Sequence, residues 1–179
     1  WLKSTFDVLG VSLYEMWTEE DLCKSKELSP EIFSGIYIGG GNTPYLLKKL
    51  KETGCWEFLK KAMEMDIPIY GGSAGAIIFS KTIIHSLYAD KNWVEIRDLT
   101  GMDVLSGYEI AVHYNQNIEE RLIGLSKKNK TEKIIALTER NGLYVTSSKI
   151  VLLGKEPAII FSNGKMRNLP IGATLPKLV

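Results

Sequence analysis

Three residue types in this chain could do chemistry together: a serine framed by glycines, a histidine and a carboxylate. Ser73 sits in Gly71-Gly72-Ser73-Ala74-Gly75, between the apolar run Ile67–Tyr70 and a second apolar run, Ala74–Phe79. The first run is too short for a helix, and Pro68 falls near its start, where a strand tolerates proline. The second opens on small residues and predicts a helix. Strand, sharp turn, helix is the setting of a nucleophile elbow, which forces strained backbone angles on the serine and projects its hydroxyl from the strand end. The flanking glycines let neighbouring backbones approach. The N–H groups that follow belong to a helix N-terminus, whose partial positive charge favours an oxyanion. Ser73 is the candidate nucleophile. The plainer alternative is a tight strand-to-helix connection that contains a serine, and partners for Ser73 decide between the two.

A serine hydroxyl needs a base, and the chain has two histidines. His113 ends the predicted strand Tyr108–His113, at the carboxyl edge where open α/β sheets bind ligands and from which Ser73 projects. His85 falls near the far end of the predicted elbow helix, about 15 Å from Ser73 at the helical rise, too far for proton transfer. A carboxylate should then fix the imidazole tautomer. Glu139 ends the predicted strand Ile134–Thr138, at the same edge. Asp90, Asp98 and Asp103 lie between Ser73 and His113, and any of them would give the Ser-Asp-His order of α/β hydrolases. Strand position favours Glu139. An aspartate on His113 would instead favour an esterase-type hydrolase, and a non-catalytic binding domain on the same scaffold is the rival from another class. The run Gly39-Gly40-Gly41 follows a buried strand, Gly35–Ile38, so the N–H of Gly40 or Gly41 could join that of Ala74 in an oxyanion hole. A phosphate cradle is the competing reading, but the run lacks the Walker lysine and the dinucleotide glycine spacing. Asn42, Arg121 and Arg140 are candidate substrate-binding residues. Either arginine could pair with an acidic group, and Arg140 has a solvated-surface alternative.

Positioning these groups takes alternating strands and helices. Trp1–Leu9 reads as helix stopped by Gly10, Val11–Trp17 as strand, and Thr18 as the cap of a short acidic helix to Lys24. Ser29-Pro30-Glu31 opens a helical turn. A helix starts at Pro44 and ends near Gly54, and another covers Trp56–Met65. Past the polar stretch His85–Asp103, Ile118–Leu125 reads as helix and Lys133–Leu137 as strand. Gly142–Thr146 with Ile150–Leu153, and Ala158–Phe161 with Lys165–Arg167, read as hairpins, the second turning on Asn163-Gly164. The expected fold is α/β: a doubly wound, mostly parallel, flavodoxin-like sheet with flanking helices and C-terminal antiparallel hairpins. The 179 residues read as a single domain, and a helix at the very start predicts an upstream strand.

Composition narrows the function classes. With 45% hydrophobic and 24% charged residues the mix is that of an ordinary soluble globular protein. A formal charge of +1 gives no footprint for nucleic acid or an anionic membrane surface. Cys23 and Cys55 lack metal-ligand spacing, and reduced thiols in a cytoplasmic protein are the expectation. No apolar run reaches membrane-spanning length.

Four segments, Ile36–Thr43, Gly71–Ala76, Val112-His113-Tyr114 and Ala136–Glu139, together resemble peptidase family S51, which contains aspartyl dipeptidase (peptidase E) and cyanophycinase. The resemblance runs from Trp1 to about Val151. It implies a class I glutamine-amidotransferase-like fold with serine in place of the usual cysteine nucleophile. By that match Ser73 is the nucleophile, His113 the base, Glu139 the orienting acid, and Gly40 with Ala74 the oxyanion hole. No metal or organic cofactor is implied. The implied substrates are small peptides, since familiar members release aspartate from dipeptides or degrade an aspartate-arginine polymer. Where dipeptidase members carry Asn-Pro before the histidine, this chain has Ala111-Val112.

Overall fold

The computed structural model describes residues 2–11, 14–128 and 133–176. The chain forms a mixed α/β protein. Strand β1 (Ile36–Ile38) pairs in parallel with β2 (Ile69–Gly71), and β3 (Tyr108–Ala111) pairs in parallel with β4 (Lys133–Ala136). On its other side β4 pairs antiparallel with β7 (Ala158–Ser162), which pairs with β8 (Lys165–Leu169). A small antiparallel sheet holds β5 (Asn141–Val145), β6 (Lys149–Gly154) and β9 (Thr174–Pro176). The turn between β7 and β8 places Asn163 and Gly164 at positive φ, the conformation Asn-Gly favours in tight hairpins. The parallel strands fall into two sheets, because β2 and β3 do not pair among the described residues. Side chains serve the outer edge of β3 instead: the Ile110 N–H donates to Ser80 Oγ at 2.8 Å, and the buried Glu109 carboxylate accepts from the Thr82 N–H.

The helices are α1 (Leu2–Val8), α2 (Thr43–Thr53), α3 (Cys55–Glu64), α4 (Ala74–Ile77) and α5 (Glu119–Lys128). Asn42 caps α2, its Oδ1 accepting from the Tyr45 N–H at 3.0 Å, and Gly54 ends the helix at φ 84°. The elbow helix is shorter than its apolar run predicts. Helix α4 is one turn, and His85 lies instead in a separate 3-10 helix, Ile84–Tyr88. The bonds that Ser80 and Thr82 make to β3 draw the chain away from the helical path, so tertiary contacts override local preference. Thr18 also acts in the opposite sense from a cap: its N–H and hydroxyl donate to the Asp21 carboxylate, both at 2.8 Å, ahead of the 3-10 helix Leu22–Lys26. Of the predicted strand Val11–Trp17, residues 12 and 13 lie outside the described residues, and residues 14–17 form no strand.

Alternation along β4 explains the layering. Ile135 and Leu137 face one way, into a core with Ile110 and Ile160 from the same sheet and Ile150, Leu152 and Leu175 from the small sheet. Ile134 and Ala136 face the other way, against Leu122 of α5 and Phe161. A strand covered on both faces reads as a continuous apolar run, as Ile134–Leu137 does. A separate core joins β1 to α2 and α3 through Ile38, Leu47, Leu50, Trp56 and Leu59. Each such buried side chain contributes on the order of 2 kcal/mol. These cores hold the strands whose carboxyl ends carry the site.

Candidate active site

Each of the parallel strands is followed within three residues by a candidate site residue, Gly40, Ser73, His113 or Glu139. After β2 the chain turns through Gly72 into Ser73, at φ 52° and ψ −116°, and enters α4 directly. Such angles are costly for a residue with a β-carbon, about 1–3 kcal/mol. The glycines make the turn feasible. A β-carbon at Gly71 would lie 2.2 Å from the Gly75 carbonyl oxygen, and one at Gly75 would lie 2.2 Å from that of Ile38. Helix α4 is thus pressed backbone to backbone against both strands.

The β3–β4 ladder runs on past its named ends, with the Leu137 N–H donating to Ala111 O and the Tyr114 N–H to Leu137 O. This straddles His113, which also has positive φ, 56°. Its imidazole Nε2 lies 2.8 Å from Ser73 Oγ. Its Nδ1 hydrogen-bonds Glu139 Oε1. A carboxylate at Nδ1 favours the tautomer whose other nitrogen, here the one beside Ser73 Oγ, can accept a proton. The pair faces solvent, with 57% of the His113 side chain and 73% of the Glu139 side chain exposed.

The structure therefore brings Ser73, His113 and Glu139 into one line of contacts and places the three aspartates elsewhere. Asp90 accepts from the Thr43 N–H and hydroxyl, at 3.0 and 2.5 Å. Asp98 pairs with Lys51 at 2.6 Å. Asp103 accepts from the Gly107 N–H at 2.7 Å. Gly40 lies against the serine, where a β-carbon would sit 3.0 Å from Ser73 Cβ and 3.4 Å from Oγ. Gly41 follows at φ 135°. Ala74 is the first residue of α4, so its N–H has no acceptor within the helix.

The remaining sequence candidates differ in their surroundings. Besides capping α2, the Asn42 amide donates to Lys91 O at 3.0 Å, so both its ends are engaged within the chain. Arg140 lies 3.3 Å from Glu156. Arg121, in the first turn of α5, stacks 3.3 Å over the Tyr88 ring. Its Nε and Nη1 are buried with no hydrogen-bond partner among the described residues. Burial holds its guanidinium below the ordinary value, with Tyr88 pulling the other way. Among the described residues, no group of three or more His, Cys, Asp or Glu side chains is placed to hold a metal ion.

Two supporting residues, Asn115 and Asp90, were not assigned these roles from the sequence. The Asn115 amide donates to His113 O at 3.2 Å and its Oδ1 accepts from the Asn117 N–H. That local turn was readable, since asparagine before a helix often bonds its own backbone. Asp90 was noticed for the wrong partner: it ties the helix start after the glycine run, across a distance in sequence that no local pattern marks.

A hydroxyl, an imidazole and a carboxylate in contact at the strand ends of an α/β scaffold have the architecture of a hydrolase. The chain belongs to peptidase family S51, whose model matches residues 5–153. It is 29% identical over 154 residues to peptidase E of Shewanella sp. (strain W3-18-1), covering 81% of this chain and 64% of the relative. It is 27% identical over 150 residues to peptidase E of Pasteurella multocida (strain Pm70), covering 77% of this chain and 62% of that one. The chain thus spans less than two thirds of the length of these relatives. The fold matches a solved protein of Listeria monocytogenes EGD-e, described as a candidate peptidase E, with a TM-score of 0.69 at 19% identity, over 86% of this chain and 76% of that one. It also matches a peptidase from an acI-B1 Actinobacterium, with a TM-score of 0.64 at 18% identity, over 89% and 66% of the two chains. Among the described residues, no helix is long and apolar enough to cross a membrane.

Proposed function

We propose that this chain is a serine-type peptidase of small peptides, with Ser73 as nucleophile, His113 as base and Glu139 orienting the imidazole. The observation that carries the reading is the unbroken contact from Ser73 Oγ through His113 to Glu139. His113 Nε2 takes the hydroxyl proton as Oγ attacks the peptide carbonyl carbon. The tetrahedral oxyanion is held by the N–H groups of Ala74 and of Gly40 or Gly41, each donor contributing about 3–4 kcal/mol in comparable sites. The imidazolium gives its proton to the leaving amine as the C–N bond breaks. Water, deprotonated by the same nitrogen, then hydrolyses the acyl-enzyme. The scaffold proposed for this chemistry is the doubly wound one of class I glutamine amidotransferases.

The substrate class we propose is the short peptide with an acidic residue, Asp-X dipeptides first. Arg121 is the arginine proposed for the acidic group, because its Nε and Nη1 have no hydrogen-bond partner among the described residues, whereas Arg140 already faces Glu156. Amine release from dipeptides varied at the N-terminal residue tests the reading. Asp-X should be cleaved faster than Ala-X or Lys-X, and Ser73→Ala should reduce every rate to background. Wild-type protein that releases amine from none of them would defeat it.

A further inference from the structure

The exposure of Glu139 leaves open what keeps its carboxylate on His113, since burial does not. The turn that carries it is gripped from outside. On one side of Glu139, Thr138 Oγ1 donates to Glu156 Oε2 at 3.0 Å. On the other, Arg140 Nε lies 3.3 Å from Glu156 Oε1. One carboxylate therefore holds both chain neighbours of Glu139. The same corner adds backbone bonds. Asn141 Nδ2 donates to the Glu156 and Pro157 carbonyls, while Asn141 Oδ1 accepts from the Thr138 N–H at 3.0 Å. The Lys155 N–H donates to Arg140 O at 2.8 Å.

We propose that Glu156 is a positioning residue for the reaction: it clamps the turn Thr138–Asn141 so that the Glu139 carboxylate stays on His113 Nδ1. The inference rests on the reading of Ser73, His113 and Glu139 as a working triad. It also reassigns Arg140 from substrate binding to the clamp. Exposed ion pairs such as Arg140–Glu156 add little to stability, whereas displacing a catalytic group by an ångström costs up to about a hundredfold in rate. The clamp should therefore be felt in rate far more than in melting temperature.

The rate at which a fluorophosphonate labels Ser73 reports on the triad without requiring a known substrate. Glu156→Ala should slow the limiting labelling rate about tenfold or more at unchanged half-saturation by the probe, with the melting temperature within about 3 °C of wild type. Glu156→Gln retains an acceptor for Thr138 but loses the charge facing Arg140, and should fall between the two. In a Glu139→Gln background, adding Glu156→Ala should change the rate by less than about twofold, because a clamp has nothing left to position. A purely structural role would multiply the two effects. Wild-type labelling in Glu156→Ala, or an undiminished effect in the double variant, would overturn the proposal. If Glu156→Ala fails to fold, Glu156→Gln and Arg140→Ala carry the same comparison. Should Glu139→Gln itself label at the wild-type rate, the triad reading falls and the clamp with it.

Discussion

Gly75→Ala is the sharpest probe of how the elbow is built. The added methyl would lie 2.2 Å from Ile38 O, 2.8 Å from Ile38 C and 3.0 Å from Gly39 O. The nearest of these is backbone at the end of β1, which cannot swing aside as a side chain can. Relief requires α4 to move away from β1 by about 1 Å, since ordinary carbon–oxygen contacts lie beyond about 3.2 Å. Overpacking of this kind costs about 1–3 kcal/mol, and a backbone obstruction belongs at the upper end. At about 2–4 °C per kcal/mol for a chain of this size, the melting temperature should fall by about 6–12 °C. The same displacement carries Ser73 away from Gly40, so fluorophosphonate labelling of the folded protein should slow about a hundredfold. Gly124→Ala is the control: it sits within α5 with nothing within 4 Å of its added methyl, and should stabilise by about 0.5–1 kcal/mol through helix propensity. Thermal melts and labelling time courses on the two variants decide the matter. A Gly75→Ala protein with wild-type melting and labelling would refute the packing described for the elbow.

Other perturbations reach different parts of the structure. Asp90→Ala removes the acceptor for the fully buried Thr43, and should cost about 1–2 kcal/mol in a urea titration while slowing labelling, because the glycine run loses its anchor. Arg121→Met keeps the apolar stack on Tyr88 and removes the charge. The KM for Asp-X dipeptides should rise about tenfold or more, with Ala-X cleavage little changed, read by amine release. Burial pushes the Cys55 thiol up to about 11, while Cys23 is exposed, so Ellman's reagent at pH 8 should titrate Cys23 quickly and reach Cys55 only on unfolding. The sign of the linkage follows from that shift. Between the ordinary thiol value near 8.5 and about 11, the unfolded chain binds fewer protons than the folded one. Stability should therefore decline across that window, by up to about 3 kcal/mol, and Cys55→Ala should flatten the decline.

Much of the site was legible because its signals are local. Gly71-Gly72-Ser73-Ala74-Gly75 reads as an elbow since the glycines answer a backbone constraint within five positions. His113 and Glu139 could be placed because each follows a short apolar strand, and parallel strands deliver their carboxyl ends to one edge. What escaped depends on partners far along the chain. Asp90 was weighed as a partner for His113 and holds Thr43, and Glu156, which grips both sides of Glu139, had no pattern to mark it. The elbow helix was overestimated because Ala74–Phe79 has helical composition, while the hydroxyls of Ser80 and Thr82 serve β3 and its Glu109. Strand β9 went unread because Thr174–Pro176 is three residues long and gains its identity only by pairing with β6.

The most direct test of the account is tandem mass spectrometry of the protein after reaction with a fluorophosphonate at neutral pH. A single adduct is expected on Ser73, absent in Ser73→Ala and strongly slowed in His113→Ala. An adduct on another residue, or wild-type protein that remains unmodified, would contradict it.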